Sequence, residues 1–444
     1  MRYRLSMLFG LAAALTLTAA RAGPVLMISI DGLRPADVID AGKRGNHVPN
    51  LRALMAAGAY ATGVKNVLPT VTYPNHTTLI TGTYPTVHGI AGNVVFDPLQ
   101  KNQSGWYWYA SDIKSQTLWD AAHKSGAKVA SVSWPVSVGA LSIDYDIPEY
   151  WRARTADDLK LLKALSTPGL IDEVEATPGV TLAEMFGETP QADDARARIT
   201  ERIIAAKHPQ LTTLHLVSLD HFEHENGPGS VEAKATLEAI DTTLGHVFSA
   251  ARAAEPDVTI AIVSDHGFAP LEHEVNLLAQ FIGAGLITLD PKTKKIMDWQ
   301  AMPWASGGAT AVYIAHPDDK QIYGKVALLL KQLARQKELG IDRVITADAI
   351  AKMGGTRDAA FFINFKLGYD MGRDANAPPV SPAMQKGTHG WFPDVPEMRA
   401  SLFIAGPSVK RHGSLGTIDM RAIAPTLAKI LDVPFSGAQA KPLF

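Results

Sequence analysis

The chain has 444 residues, 46% hydrophobic and 19% charged, with a formal net charge of -2 and no cysteine. That length is ample for one large domain or two, and the near-neutral charge argues against a general nucleic-acid binder or a basic membrane-surface protein. Without thiols, disulfides, cysteine nucleophiles and Cys-type zinc sites are excluded, so any metal must rest on His, Asp, Glu or hydroxyl oxygen.

Met1–Arg4 carries two positive charges, an apolar stretch runs from Leu5 to Ala19, and Ala20-Arg21-Ala22 is a small-x-small cleavage pattern. Residues 1–22 therefore read as a signal peptide, with a mature protein starting near Gly23 and exported to the periplasm or medium. No other run approaches the length of a membrane span.

Val25–Ile30 is an apolar run ending at Asp31-Gly32, the pattern of a parallel strand buried on both faces. A helix follows Pro49 and stops at Gly58. Pro69–Thr78 then places Thr72 two residues ahead of Pro74, a residue suited to a first helical turn, so Thr72 is expected just before a helix begins. Backbone N–H groups and the helix dipole favour negative charge there. Thr70 and Thr77 read as ordinary turn and helix-start hydroxyls. Tyr84–Asn93 is rich in turn formers; Leu118–Ala122 reads as helix and Lys128–Trp134 as strand.

Leu211–Leu219 reads as a strand ending at Asp220, Val231–Ala253 as an amphipathic helix, and Val258–Ser264 as a strand ending at Asp265-His266-Gly267. Strand, acid at its C-terminal end, loop and helix repeat, which is an α/β pattern. From about 272 to 383 the regularity breaks down into short strands and Lys- or Gly-rich pieces, read as an inserted subdomain. Ala400–Gly406 returns as a strand, and Ile418–Asp432 as a helix.

Asp31, Asp220, His224, Asp265 and His266 cluster at predicted strand ends, and His389 lies in Gly387-Thr388-His389-Gly390, where small neighbours permit close backbone approach. Asp220 and His224 share one face of a helical turn. Three carboxylates and three imidazoles suit zinc or another first-row divalent ion, and exceed what one four-coordinate ion needs. Two ions about 4 Å apart would clamp both the attacking and leaving oxygens of a phosphoryl transfer. They would also supply what Thr72 lacks locally, because a hydroxyl is a poor nucleophile at neutral pH until something lowers its pKa. His76, His88, His215 and His221 read as structural or exposed.

Asp31-Gly32, Thr72-Tyr73-Pro74-Asn75-His76, Thr81–Pro85 with His88-Gly89-Ile90, Asp220 with His224, Asp265-His266-Gly267 and Thr388-His389-Gly390 together resemble the nucleotide pyrophosphatase/phosphodiesterase family of the alkaline phosphatase superfamily. The resemblance implies an alkaline phosphatase-like α/β domain over residues 23–444, with a mostly parallel central sheet, helices on both faces and a small inserted subdomain. It implies two zinc ions, one bound by Asp31, Thr72, Asp265 and His266 and the other by Asp220, His224 and His389. Thr72 would be the nucleophile, forming a phospho-threonine that zinc-bound water hydrolyses, and Asn93 would hydrogen-bond a non-bridging phosphate oxygen. Related threonine-dependent alkaline phosphatases carry a Lys-x-Arg pair, whereas Trp134-Pro135 is followed here by Val136-Ser137-Val138-Gly139. That favours a diester, with one charge, over a monoester with two. Tyr73 stands where relatives often have Phe, and Tyr150-Trp151 could stack on a base. Nucleotide diesters, dinucleotide or sugar-nucleotide pyrophosphates and glycerophosphodiesters all fit as small-molecule substrates. The rivals are an alkaline phosphomonoesterase or phosphonate hydrolase on the same scaffold, and a non-catalytic binder stabilised by its metals.

Overall fold

The computed structural model describes residues 22–102, 105–151, 155–176 and 179–444. The segment 1–21, and with it most of the expected signal peptide, lies outside them. Among the described residues no helix is long and apolar enough to cross a membrane.

Val25–Ile30 is buried along its whole length and sits mid-sheet, because a run of apolar and small residues leaves neither face suited to water. It pairs in parallel with Leu211–Leu216 on one side and Thr259–Val263 on the other. Val129–Val132 and Tyr145–Ile147 extend the sheet in parallel beyond Leu211–Leu216. On the opposite flank Leu402–Ala405 runs antiparallel to Thr259–Val263, and the short strands Ala59–Tyr60 and Gly413–Ser414 complete an eight-stranded sheet. The fold is thus α/β with a mostly parallel centre.

Alternation along Val25–Ile30 assigns its side chains to two cores. Leu26, Ile28 and Ile30 meet helices Pro49–Ala57, Pro190–Lys207 and Val231–Ala254 on one face. Val25 and Met27 meet helices Thr72–Thr81, Leu118–Lys124 and Ile423–Ile430 on the other. Each fully buried aliphatic side chain contributes about 1.5–3 kcal/mol, so both helical layers are fixed mainly by this burial.

Two expected boundaries shift. The strand read as Leu211–Leu219 stops at Leu216, and Asp220 lies in the first turn of helix Ser218–Asn226. Ile418 belongs to a short strand, Thr417–Asp419, paired with Gly63–Lys65, and the α-helix begins only at Ile423. Sequence periodicity does not register that pairing because its partner lies far upstream.

Within 272–383 the chain builds an antiparallel sheet in the order Ala301–Ser306, Ala309–Ile314, Ala359–Phe365, Ile341–Thr346. Helices Leu277–Gly283 and Lys320–Leu333 share a separate core with it through Phe281, Leu330, Phe361 and Ile363. A small third sheet centred on Ala269–Val275 also contains Gly387–Thr388, placing His389 beside the C-terminal edge of the main sheet.

Candidate active site

Helix Thr72–Thr81 is wholly buried despite four threonines, residues of modest helix propensity. Its polar side chains turn back on their own backbone. Thr77, Thr78 and Thr81 donate to the carbonyls of Tyr73, Pro74 and Thr77 at 2.8, 3.0 and 2.7 Å, and Asn75 Nδ2 donates to Val71 O at 2.8 Å. With their hydrogen bonds made internally, these residues can be packed into the core. Leu79 and Ile80 anchor the helix in the core. The N-cap is Val71, so Thr72 is the first helical residue rather than the one before it, a one-residue difference that keeps its backbone in the unpaired first turn. Tyr73 N–H donates to Asn93 Oδ1 at 2.9 Å, which commits that oxygen and leaves the Asn93 amide N–H groups as donors beside Thr72. Both residues line one cavity of about 700 Å³ together with Asp31, Asp220, His224 and His389.

The six Asp and His residues come together. Asp31 follows its strand, where Asp31 N–H bonds Leu216 O of the neighbouring strand at 2.9 Å. Asp265 lies just past its own strand and is fully buried. His266 Nε2 is 3.3 Å from Asp31 Oδ1 and 3.1 Å from Asp265 Oδ2. His224 Nε2 is 3.5 Å from Asp220 Oδ2, and His389 Nε2 is 3.7 Å from Asp220 Oδ1. Asp220, His224 and His389 form one group able to hold a metal, and Asp31, Asp220 and His266 another, with Asp220 common to both.

Three physical features fit a metal centre. First, each imidazole uses Nδ1 on a backbone carbonyl: His224 on Gly387 at 2.9 Å, His266 on Gly267 at 3.2 Å and His389 on Thr70 at 3.1 Å. Donation from Nδ1 leaves Nε2 a lone pair for an ion, the orientation expected of metal-bound histidine. Second, Asp31 Oδ1, Asp220 Oδ1, Asp265 Oδ2 and His266 Nε2 are buried without a hydrogen-bond partner. Such orphaned atoms are costly unless something else satisfies them. Third, ligands at about 2.0–2.1 Å from a tetrahedral ion stand about 3.4 Å apart, the same scale as the spacings above.

Electrostatics agrees. Burial, then the charge of Asp220, raises the Asp31 carboxyl well above its usual range, and burial, then Asp31, raises Asp265. Burial, then neighbouring imidazoles, holds His266 well below its usual range; burial lowers His389 to about 4. The imidazoles of His266 and His389 are therefore neutral at neutral pH, as ligation requires, while a bound dication would offset the crowding of carboxylates.

The glycines around His389 are there for space. A Cβ on Gly390, at φ +97°, would lie 1.9 Å from Ser306 O, and one on Gly387 would lie 2.5 Å from Glu223 O. Thr70 donates its hydroxyl to Trp391 O and is structural at this position. His76 commits Nδ1 to Thr72 O and Nε2 to Ser29 Oγ, each at 2.9 Å. His88 is buried, its Nδ1 accepting from Ile90 N–H. His221 lies partly exposed between Glu188 and Glu225.

His215 is more than the structural or exposed group expected from the sequence. Its Nε2 is 3.1 Å from Asp31 Oδ2 and its Nδ1 is 2.8 Å from Glu149 Oε2. Both His215 and Glu149 line the cavity. Strand register offered a signal, because His215 pairs with Ser29, two residues before Asp31; Glu149, in the loop after Tyr145–Ile147, offered none. Trp106, Trp151 and Phe186 join Tyr73 in the aromatic part of the wall, whereas Tyr150 packs behind it on Trp108. Among the described residues lining the cavity, none is Lys or Arg.

Residues 25–392 match the family model for type I phosphodiesterase / nucleotide pyrophosphatase. The chain belongs to that family. It is 25% identical over 256 residues to ectonucleotide pyrophosphatase/phosphodiesterase family member 1 of Mus musculus, a match covering 55% of this chain and 24% of the mouse protein. Venom phosphodiesterase of Naja atra is 26% identical over 252 residues, covering 55% of this chain and 26% of the venom protein. The chain thus spans about a quarter of the length of these curated relatives. The solved structure of human ectonucleotide pyrophosphatase / phosphodiesterase 5 superposes with a TM-score of 0.67 at 18% identity, covering 94% of this chain and 97% of that one. Its murine counterpart, solved as an inactive threonine-to-alanine variant in complex with AMP, gives 0.66 at 17% identity. These similarities place the α/β fold within this phosphodiesterase family.

Proposed function

We propose that the protein is an exported, metal-dependent hydrolase that cleaves a phosphodiester or pyrophosphate bond of a nucleotide or related small diester, with Thr72 as nucleophile. The observation that carries this reading is the convergence of orphaned carboxylate and imidazole atoms beside a hydroxyl at a helix N-terminus. Family membership and the AMP complex of the murine structural relative lend it support.

In this reading Asp31, Asp265 and His266 would hold one divalent ion, and Asp220, His224 and His389 would hold a second. Zinc is the ion best matched to this donor set. Such ions supply charge neutralisation and lower the pKa of a coordinated hydroxyl. Thr72 gives its hydroxyl proton to solvent, its Oγ attacks phosphorus, the bond to the leaving oxygen breaks opposite it, and the departing alkoxide or phosphate takes a proton from solvent. Water then attacks the phospho-threonine, the Thr72 Oγ–phosphorus bond breaks, and the hydroxyl is restored. The Asn93 amide N–H groups, aligned by the Tyr73 bond, stabilise charge on a non-bridging oxygen. Trp106, Trp151 and Tyr73 provide the apolar surface for a base or another flat group on the retained half of the substrate.

The cavity wall without Lys or Arg among its described residues favours a diester over a monoester dianion. Rates on bis(p-nitrophenyl) phosphate and p-nitrophenyl phosphate test this choice. The diester is expected to have the higher kcat/KM; faster monoester hydrolysis would move the protein to the phosphomonoesterase reading.

A further inference from the structure

A second cavity of about 650 Å³ adjoins the first, and Asn93, His224 and His389 line both. Its other walls come from Val71 and the loop carrying Phe96, from the antiparallel sheet, and from the segment around Asp370. Thr72 and Asp31 line only the first cavity, whereas His224 and His389 face both. In an in-line displacement the leaving oxygen departs on the side opposite the nucleophile. A leaving group that departs past His224 and His389, which line both cavities, would enter the second one.

Its walls have a definite chemistry. Phe96 is stacked on Tyr313 with ring centroids 4.0 Å apart and meets Trp304 edge-on at 5.0 Å, so an aromatic surface forms one side. Glu274 and Asp370 belong to the other, paired strands, where their residues are in register. Asp370 Oδ1 is buried without a hydrogen-bond partner. Asp374 also lines the cavity but is exposed and bonds Asn376, and Arg373, the one cation among the described lining residues, is exposed as well. Aromatic faces and half-buried carboxylates attract cations and hydroxyl donors, and repel polyanions.

We infer that this second cavity is a leaving-group subsite, in which Asp370 and Glu274 select an organic alcohol, best a cationic one, and disfavour a phosphate-bearing leaving group. The inference rests on the diesterase reading above and adds its substrate class. It makes a pyrophosphate leaving group, as from a nucleoside triphosphate, a poor one for this enzyme.

Three thymidine 5′-phosphate esters of one phenol framework test it, carrying a para aminomethyl, hydroxymethyl or carboxymethyl group, with ATP as a fourth substrate. On the wild-type enzyme kcat/KM should fall in that order, by about tenfold or more from the cationic to the anionic ester. The Asp370→Asn and Glu274→Gln variants should compress that ratio several-fold and improve ATP relative to the neutral ester. Calorimetric binding of the intact esters to Thr72→Ala should show the same order in Kd, which keeps the test informative if an acid variant folds poorly. Equal rates and affinities for the cationic and anionic esters, or ratios unmoved in the acid variants, would overturn the subsite. No hydrolysis of any ester by the wild type would instead remove the diesterase reading.

Discussion

The two cavities that meet at His224 and His389 are built on opposite plans. Around the first, the polar side chains sit at the carboxyl end of a parallel sheet and are held from behind: three imidazoles by backbone carbonyls, Asp31 by His215, Asp265 Oδ1 by Gly32 N–H. Asp31 Oδ1, Asp220 Oδ1, Asp265 Oδ2 and His266 Nε2 are left without a hydrogen-bond partner. Around the second, the walls come partly from the antiparallel sheet, and half-buried carboxylates on one side face aromatic rings on the other. A pre-aligned, desolvated array suits chemistry, which depends on sub-ångström placement. A softer, charged wall suits discrimination between substrates, where a modest electrostatic preference is enough.

This contrast can be broken most severely at Thr72. Thr72→Ala should lower kcat/KM for a diester by about 10³-fold or more while leaving the melting temperature near wild type, since among the described residues the helix's side-chain hydrogen bonds are made by Asn75, Thr77 and Thr78 rather than by the Thr72 hydroxyl. Steady-state kinetics beside a thermal melt would check both halves. Asn93→Ala comes next, with an expected loss of about 10²-fold in kcat from one missing charge-stabilising donor. A change confined to KM would show that Asn93 only binds substrate.

Chelation addresses the whole first cavity at once. Ions bound only by the folded state stabilise it, so their removal should lower the melting temperature by roughly 5–10 °C, reversibly on adding zinc. An unchanged melt would leave the orphaned carboxylates unexplained.

The smallest effect belongs to the second cavity. Burial, then the charge of Glu274, raises Asp370 to about 7. A carboxyl that holds its proton more tightly folded than unfolded stabilises the protein fully below about pH 4, and that contribution is lost as pH rises through about 7. Asp370→Asn should therefore gain melting temperature over wild type at pH 8, by about a degree or two, and show little gain at pH 4. Equal differences at the two pH values would mean that Asp370 is solvated rather than confined.

Much of the first cavity was legible in the sequence because each of its residues is tied to a local signal. Asp31 and Asp265 follow apolar runs, Asp220 and His224 are one turn apart, and His389 sits among glycines that the fold cannot replace. The supports were not legible. His389 leans on Thr70 O, 319 residues away in the chain, and Glu149 reaches His215 from a loop with no pattern of its own. The second cavity was hidden for the same reason. Its sheet is antiparallel with short strands and bulged register, which in sequence resembles irregular chain, so residues 272–383 read as an insertion without revealing a wall facing His224.

The central claim is that Thr72 bonds to phosphorus during turnover, and the stereochemical course of hydrolysis addresses it directly. A chiral phosphorothioate diester cleaved in isotopically labelled water should give product with retained configuration at phosphorus, because two in-line displacements each invert it. Net inversion would mean that water attacks the substrate in a single step, and Thr72 could not be the nucleophile.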